Sequence, residues 1–364
     1  YTTISAEKDD LLFLNGLLVG PPQSNAGTQA SRPQAWAKNI VSVGGVYHYD
    51  TFTRTDDHWN SGGSIGPASD GRIKPTLAHF YDQTYAPTAG GGYTQFGGTS
   101  GATPIVAGHF GLLFQMWHEG VFPGFGGGAT VFASRPHMTT AKALLINSAY
   151  RYNWLAGGPN GDINRFKQGW GMPDLQELYN LREKILIVDE TDVLAPLGST
   201  QYSVTVAPGE PNFRATLVYA DPPGNVGAAH HRINDLSLRV TSPGGTIYWG
   251  NHGLTAGNFT TSGGSSDTLN TEENVFVANP EIGEWGVEVL ADEINEDSHL
   301  ETPEVDADYA LVVTGGTTVP PPFTMSLLSG PSGFVPSGTS PVVEVEITPG
   351  SETVVPGSET MFYR

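Results

Sequence analysis

Between Gly97 and Gly120 two glycines, a threonine and a serine lead into residues 105–117, a stretch that is apolar nearly all round apart from His109 and Gln115. A helix with no polar face is normally enclosed by a large protein, so this stretch demands a domain big enough to surround it. Thr103 and Pro104 open the helix, because a proline in the first turn gives up an N–H that would have no partner there. The serine just ahead of it, Ser100, has two readings. It is a helix N-cap, as serine often is. Alternatively it is a nucleophile presented at a helix entrance, where backbone N–H groups and the helix dipole favour developing negative charge. Composition alone favours the cap.

The surrounding chain reads as alternating elements. Residues 10–14 (Asp-Leu-Leu-Phe-Leu), ended by Asn15-Gly16, and residues 39–45 are non-alternating apolar runs, expected as strands covered on both faces of a parallel sheet. A second helix is expected over 139–150 with Thr139 or Thr140 as its N-cap. Strands, glycine turns and helices in alternation indicate an α/β domain over residues 1–184. From 185 to 316 the chain changes to short strand candidates at 187–188, 201–206, 214–219, 236–240, 275–277, 285–289 and 309–313. Turns such as Asp221-Pro222-Pro223-Gly224 separate them, which points to an antiparallel sandwich or jelly roll. Residues 317–364 have the Pro/Gly/Ser/Thr composition of a linker, with one more strand expected at 342–347, the start of a further domain.

Charge narrows the partners. With 37 acidic and 17 basic residues the formal charge is −20, which repels phosphate and argues against nucleic acid or an anionic membrane. No apolar run approaches a membrane-spanning length, so no membrane insertion is expected. The absence of cysteine rules out disulfides and thiolate metal sites. The chain opens at Tyr1 without a signal peptide or initiator methionine and reads as a processed or truncated piece.

The stretch Gly98-Thr99-Ser100-Gly101-Ala102-Thr103-Pro104 followed by Val106-Ala107-Gly108 resembles the serine motif of the subtilisin family, with Gly101 where that family usually has methionine. The resemblance extends to Trp36-Ala37-Lys38-Asn39-Ile40, to Asp70-Gly71-Arg72-Ile73-Lys74-Pro75, to residues 141–149, to Gln168-Gly169-Trp170-Gly171, and in the second half to Asn234-Asp235-Leu236 and Glu273-Asn274-Val275-Phe276. It covers roughly residues 6–315 and implies the C-terminal part of a subtilisin-like parallel-sheet catalytic domain followed by a jelly-roll β-domain. The implied activity is that of a secreted or cell-surface serine endopeptidase acting on protein or peptide substrates through an acyl-enzyme on Ser100. No cofactor is implied for the chemistry. Asn25, in Ser24-Asn25-Ala26-Gly27, is the expected oxyanion donor, with Ser24 where the family has glycine. Asn15 is its rival, and choosing Asn25 implies an insertion after a strand ending at Leu14.

The family's Asp-Ser/Thr-Gly and His-Gly-Thr-His contexts do not occur ahead of Gly98. Asp50-Thr51-Phe52 lacks the glycine, and His252-Gly253-Leu254-Thr255 follows the serine and reads as a surface loop. His48, His58 and His79 read as surface or core histidines. The catalytic aspartate and histidine are therefore expected from an N-terminal half outside these residues, which would be the chain's principal partner. A catalytically degenerate scaffold is the alternative, favoured by Gly101 and by residues 76–81, where the family's Asp-Val-x-Ala-Pro-Gly is replaced. Structural calcium is implied by the resemblance in the loop 251–274, which carries Asp267, Glu272 and Glu273. His252 and Ser237 stand where carboxylates would be expected, and no ligands are assigned.

Overall fold

The computed structural model describes residues 1–318, 323–329 and 344–349. Residues 1–317 form one compact unit. It opens with α1 (Thr3–Asn15), capped by Thr2 and Ser5 at its start and by Gly16 at its end. The expected strand at 10–14 is thus the last part of a helix. Its polar first turns place Ser5, Asp9 and Leu12 on one buried face, a spacing that a five-residue apolar run cannot display. The strand-like chain instead follows the helix. Val41 N–H bonds Val19 O at 3.0 Å, Val43 N–H bonds Pro21 O at 2.9 Å and Gln23 N–H bonds Val43 O at 2.8 Å. This segment runs straight into Asn25, so no insertion separates them.

Beside it lie β1 (Val43–Val46) and β2 (Leu77–Phe80), paired in parallel. β1 starts four residues later than expected, after a bend at Lys38, Asn39 and Ile40. A hairpin of β3 (Thr84–Pro87) and β4 (Tyr93–Phe96) then delivers the chain to α2 (Thr99–His118). Pro104 lies inside α2 rather than at its first turn. α3 (Met138–Ser148) is buried along its whole length and is preceded by His137 at the cap position, not Thr139 or Thr140. The His137 N–H is held at 3.0 Å by Asp189 from the next part of the chain, a partner too distant in sequence to be anticipated. Two short helices, α4 (Arg165–Gln168) and α5 (Leu175–Leu181), complete this part.

Next come β5 (Ile185–Leu194), β6 (Ser199–Val206), β7 (Asn212–Val218), β8 (Asp235–Thr241), β9 (Ile247–Trp249), β10 (Glu272–Ala278), β11 (Gly283–Glu293) and β12 (Ala307–Thr314), with the two-residue β13 (Thr317–Thr318) at the unit's end. One antiparallel sheet orders β10–β7–β12–β5 and another contains β6–β11–β8–β9. Every strand expected between 187 and 313 is present. Val204, Phe213, Leu217, Leu238, Trp285, Val287, Val289 and Leu311 fill the space between the sheets. Val218, Phe276, Ala310 and Val312 instead join the core of α2 and α3.

Buried polar groups also join residues 1–184 to the strands and loops that follow. Lys38 is ion-paired with Asp221, and Lys142 with Glu272. Asn147 donates to Thr216 Oγ1 and to Val312 O, both at 3.1 Å. Arg165 reaches the Leu254 carbonyl at 3.0 Å.

Residues 318–364 form a separate unit, in which β14 (Phe323–Ser329) pairs antiparallel with β15 (Glu344–Pro349). The strand expected at 342–347 thus corresponds to β15 from residue 344 onward. The proline-rich residues 319–322 lie outside the described residues.

Candidate functional site

Ser100 is exposed, one residue into α2. The first N–H groups of a helix have no partner within it. Here Gly101 N–H and Ala102 N–H return to Gly98 O at 2.9 and 3.2 Å, and Thr99 N–H goes to Asn25 Oδ1 at 2.8 Å. Among the described residues, Ser100 N–H has no acceptor.

Asn25 lies at the same helix end. Its Oδ1 also accepts the Thr99 hydroxyl at 3.1 Å, and Thr99 Oγ1 in turn accepts Ser24 N–H at 3.1 Å. Because Oδ1 faces a backbone N–H, the amide orientation is determined, and the NH₂ group is left without a protein acceptor among the described residues. The turn is held further by Ser64 N–H to Ser24 O at 2.7 Å and by Ala26 N–H to Ser64 Oγ at 3.0 Å.

Two backbone conformations explain the local sequence. Gly98 has φ +77°, and a Cβ there would sit 3.0 Å from Asn25 Nδ2. Ser24 has φ +89°, the left-handed region that glycine favours, so the glycine-to-serine departure falls at a position whose geometry asks for glycine.

The rival Asn15 ends α1 and donates to Leu11 O at 2.9 Å, occupied with its own helix end. Pro104, six residues into the helix, removes the N–H that would have bonded the Ser100 carbonyl. Thr103 Oγ1 bonds Thr99 O at 2.7 Å.

The helix is not enclosed on all sides. Ala102, Val106, Phe110, Leu113 and Trp117 are buried, whereas Pro104, Ala107, Gly108, Gly111, Leu112 and Gln115 are exposed, Leu112 by 55%. At 100° per residue these six fall on one face, with Ser100 at its edge.

Among the described residues no histidine hydrogen-bonds Ser100. His109 is nine residues on, half a turn round the helix and about 13 Å along it by helix geometry, and bonds Ile105 O at 2.8 Å. His79 is buried in β2 and accepts Phe80 N–H on Nδ1 at 2.9 Å. Burial and the neighbouring His109 hold its pKa down to about 3, so it stays neutral. His48 Nδ1 pairs with Asp82 at 2.9 Å and His58 Nδ1 with Asp162 at 3.2 Å. His252 sits in a turn with Nδ1 2.9 Å from Thr261 O. Asp50, with φ +58°, is exposed.

The loop 251–274 was the expected place for calcium. Asp267 accepts from Leu269 N–H (2.8 Å), Asn270 N–H (3.2 Å), Asn270 Nδ2 (2.7 Å) and Asn251 Nδ2 (2.6 Å). Both asparagine Oδ1 atoms are committed to backbone N–H groups, those of Ile73 and Asn274, which turns their NH₂ groups toward the carboxylate. Ser237 donates to Asp292 at 2.8 Å, and Glu272 is paired with Lys142. Calcium requires six to eight oxygen ligands. Donors fill Asp267, whereas Glu273 Oε1 and Asp235 Oδ1 beside it are buried without a hydrogen-bond partner among the described residues, and no calcium ligands are assigned.

Residues 15–171 match the model described as the subtilase family, Peptidase_S8, a span that includes Asn25 and Ser100. A curated relative, the serine protease/ABC transporter B family protein tagB of Dictyostelium discoideum, is 26% identical over 301 residues, covering 63% of this chain and 15% of the relative's length. Among solved structures, the prenylagaramide maturation protease PagA is similar at 18% identity and TM-score 0.35, covering 47% of this chain and 52% of that one. The patellamide maturation protease PatA is similar at 18% identity and TM-score 0.34, covering 47% and 53%. The chain thus spans about half of the two maturation proteases and 15% of the curated relative.

Proposed function

We propose that this chain supplies the nucleophile and the oxyanion-binding half of a subtilase-type serine endopeptidase. The observation that carries the reading is the pair of donors, Ser100 N–H and Asn25 Nδ2, without acceptors among the described residues, at one helix end beside an exposed serine. Attack of Ser100 Oγ on a peptide carbonyl would place negative charge on the carbonyl oxygen, and those two donors, already oriented by Thr99, would receive it. Collapse expels the amine and leaves an acyl-enzyme, which water hydrolyses. No cofactor enters these steps.

The proton of Ser100 needs a base, and the base needs a carboxylate to orient it. We assign both to a segment outside these 364 residues, the N-terminal half of the same enzyme. The exposed apolar face of α2 next to Ser100 supports this, since a helix with this composition is ordinarily covered. The two antiparallel sheets are then the jelly-roll domain that accompanies some subtilases. Secretion or display at the cell surface belongs to the same proposal. The second reading, a degenerate scaffold, draws on the absence of a histidine bonded to Ser100.

Labelling the full-length protein with a fluorophosphonate separates the two. Label on Ser100 that disappears in Ser100→Ala and slows in Asn25→Ala supports the protease. An unlabelled, folded full-length protein that contains the aspartate and histidine contexts refutes it.

A further inference from the structure

A second constellation lies on β5, β12 and the loop between β11 and β12. In the β5–β12 pairing, Asp308 stands opposite Val193 and Ala310 opposite Asp189, so residues 190–192 face Tyr309 alone. This bulge re-aims the side chains around it, and Glu190 within it adopts φ +55°, a strained conformation for a non-glycine residue. Across from it, residues 294–306 fold back through Ser298 N–H to Asp306 O at 2.9 Å and carry His299 and Glu301 to the same place. One ligand atom from each of His299, Glu301 and Asp308 lies within 4.8 Å of the other two.

Three details give this cluster the form of a ligand set. Asp308 is 8% exposed, yet among the described residues its carboxylate accepts no side-chain hydrogen bond and makes no ion pair. His299 Nδ1 lies 3.3 Å from both Asp306 Oδ1 and Thr302 Oγ1, and its Nε2 faces Glu301 Oε2 at 3.6 Å. A carboxylate behind the imidazole is the usual support of a metal-bound histidine. Glu190 adds a further carboxylate, tethered by the Thr139 hydroxyl and lying 3.7 Å from His137 Nε2.

We propose that His299, Glu301 and Asp308 form a binding site for a divalent transition ion of the zinc type. One imidazole and two carboxylates suit zinc, whose bonds of about 2.0–2.2 Å require only a small inward movement of these three atoms. Calcium prefers a larger, all-oxygen set, and magnesium keeps most of its waters. The ion fixes the 294–306 loop to the bulge and offsets the crowding of negative charge. The serine chemistry of α2 does not depend on it.

Titration of the metal-free protein with zinc by calorimetry, and with cobalt(II) by visible absorption, tests the assignment. One equivalent should bind, with a cobalt d–d band and a raised thermal midpoint in zinc. His299→Gln and Glu301→Gln should each weaken binding at least tenfold and abolish the band. Glu301 is largely exposed, so its variant tests the site without threatening the fold. Unaltered zinc binding in both variants, no stoichiometric binding in the parent protein, or calcium binding indifferent to His299→Gln would overturn the proposal.

Discussion

Ser24 offers a sharp test of how the turn beneath Ser100 is built. At φ +89° a residue with a Cβ is disfavoured by about 1–2 kcal/mol relative to the right-handed regions. Its backbone is fully used, with N–H to Thr99 Oγ1 and O from Ser64 N–H, while its hydroxyl makes no hydrogen bond among the described residues. Ser24→Gly should therefore relieve the strain and lose no contact. Against this stands the greater freedom of glycine in the unfolded chain, which costs about 0.5–1 kcal/mol. The balance is a stabilisation centred near ~0.75 kcal/mol and no larger than ~1.5 kcal/mol, read as a higher urea midpoint at unchanged slope. Three residues on, Gly27→Ala should do the reverse, because at φ +63° its Cβ would run into the Ser61 carbonyl oxygen, which belongs to the backbone and cannot swing aside. A loss of about 2–4 kcal/mol is expected from strain and overlap together. Opposite signs from two positions of one turn follow only from this backbone geometry. A destabilised or unchanged Ser24→Gly protein would refute the argument.

Thr99→Val removes the hydroxyl that joins Ser24 to Asn25. It should cost about 1–3 kcal/mol in urea and slow fluorophosphonate labelling of the full-length enzyme about tenfold or more, as expected when an oxyanion donor loses its support. His79, with its folded pKa below its unfolded value, holds fewer protons than the unfolded chain between pH 6.5 and about 3. Stability should be complete above pH 6.5 and drain by up to about 1.4 kcal/mol per pH unit below it. In His79→Asn, whose amide oxygen can still accept Phe80 N–H, thermal midpoints should show a flatter acid limb. Burial, with Lys142 and Arg72 adding to it against Glu272, holds the Lys74 ammonium down to about 7. Stability should therefore rise from pH 7 toward 10.5, where the unfolded chain alone stays protonated, and Lys74→Met should remove that rise.

The sandwich was legible strand by strand because its residues alternate inward and outward and its turns carry proline and glycine. Ser100 stood out as a candidate because a rare combination of glycines, threonines and a proline surrounds it. What failed did so for physical reasons. Five apolar residues at 10–14 suit a strand or a helix end equally well, and the deciding contacts of Ser5 and Asp9 with residues 33, 38 and 39 are remote in sequence. Pro104 looked like a helix start because proline normally marks one, whereas the Thr99–Asn25 bond begins the helix five residues sooner. The cap of α3 comes from Asp189, fifty-two residues away. No local pattern announced the cluster of His299, Glu301 and Asp308. The β5–β12 bulge and the fold-back of residues 294–306 together assemble it.

The seam between residues 1–184 and the strands and loops that follow bears on how such a chain can diverge. Each of its buried ion pairs has one member on either side, Lys38 with Asp221 and Lys142 with Glu272. Losing one member strands the other in a dry interior, at a cost of about 3–5 kcal/mol. Drift on one side is thus answerable to the other, and a sandwich transplanted from a relative would have to bring the matching acids with it. The change of texture near residue 185 marks where the architecture turns over, but heredity would be expected to treat residues 1–317 as one piece.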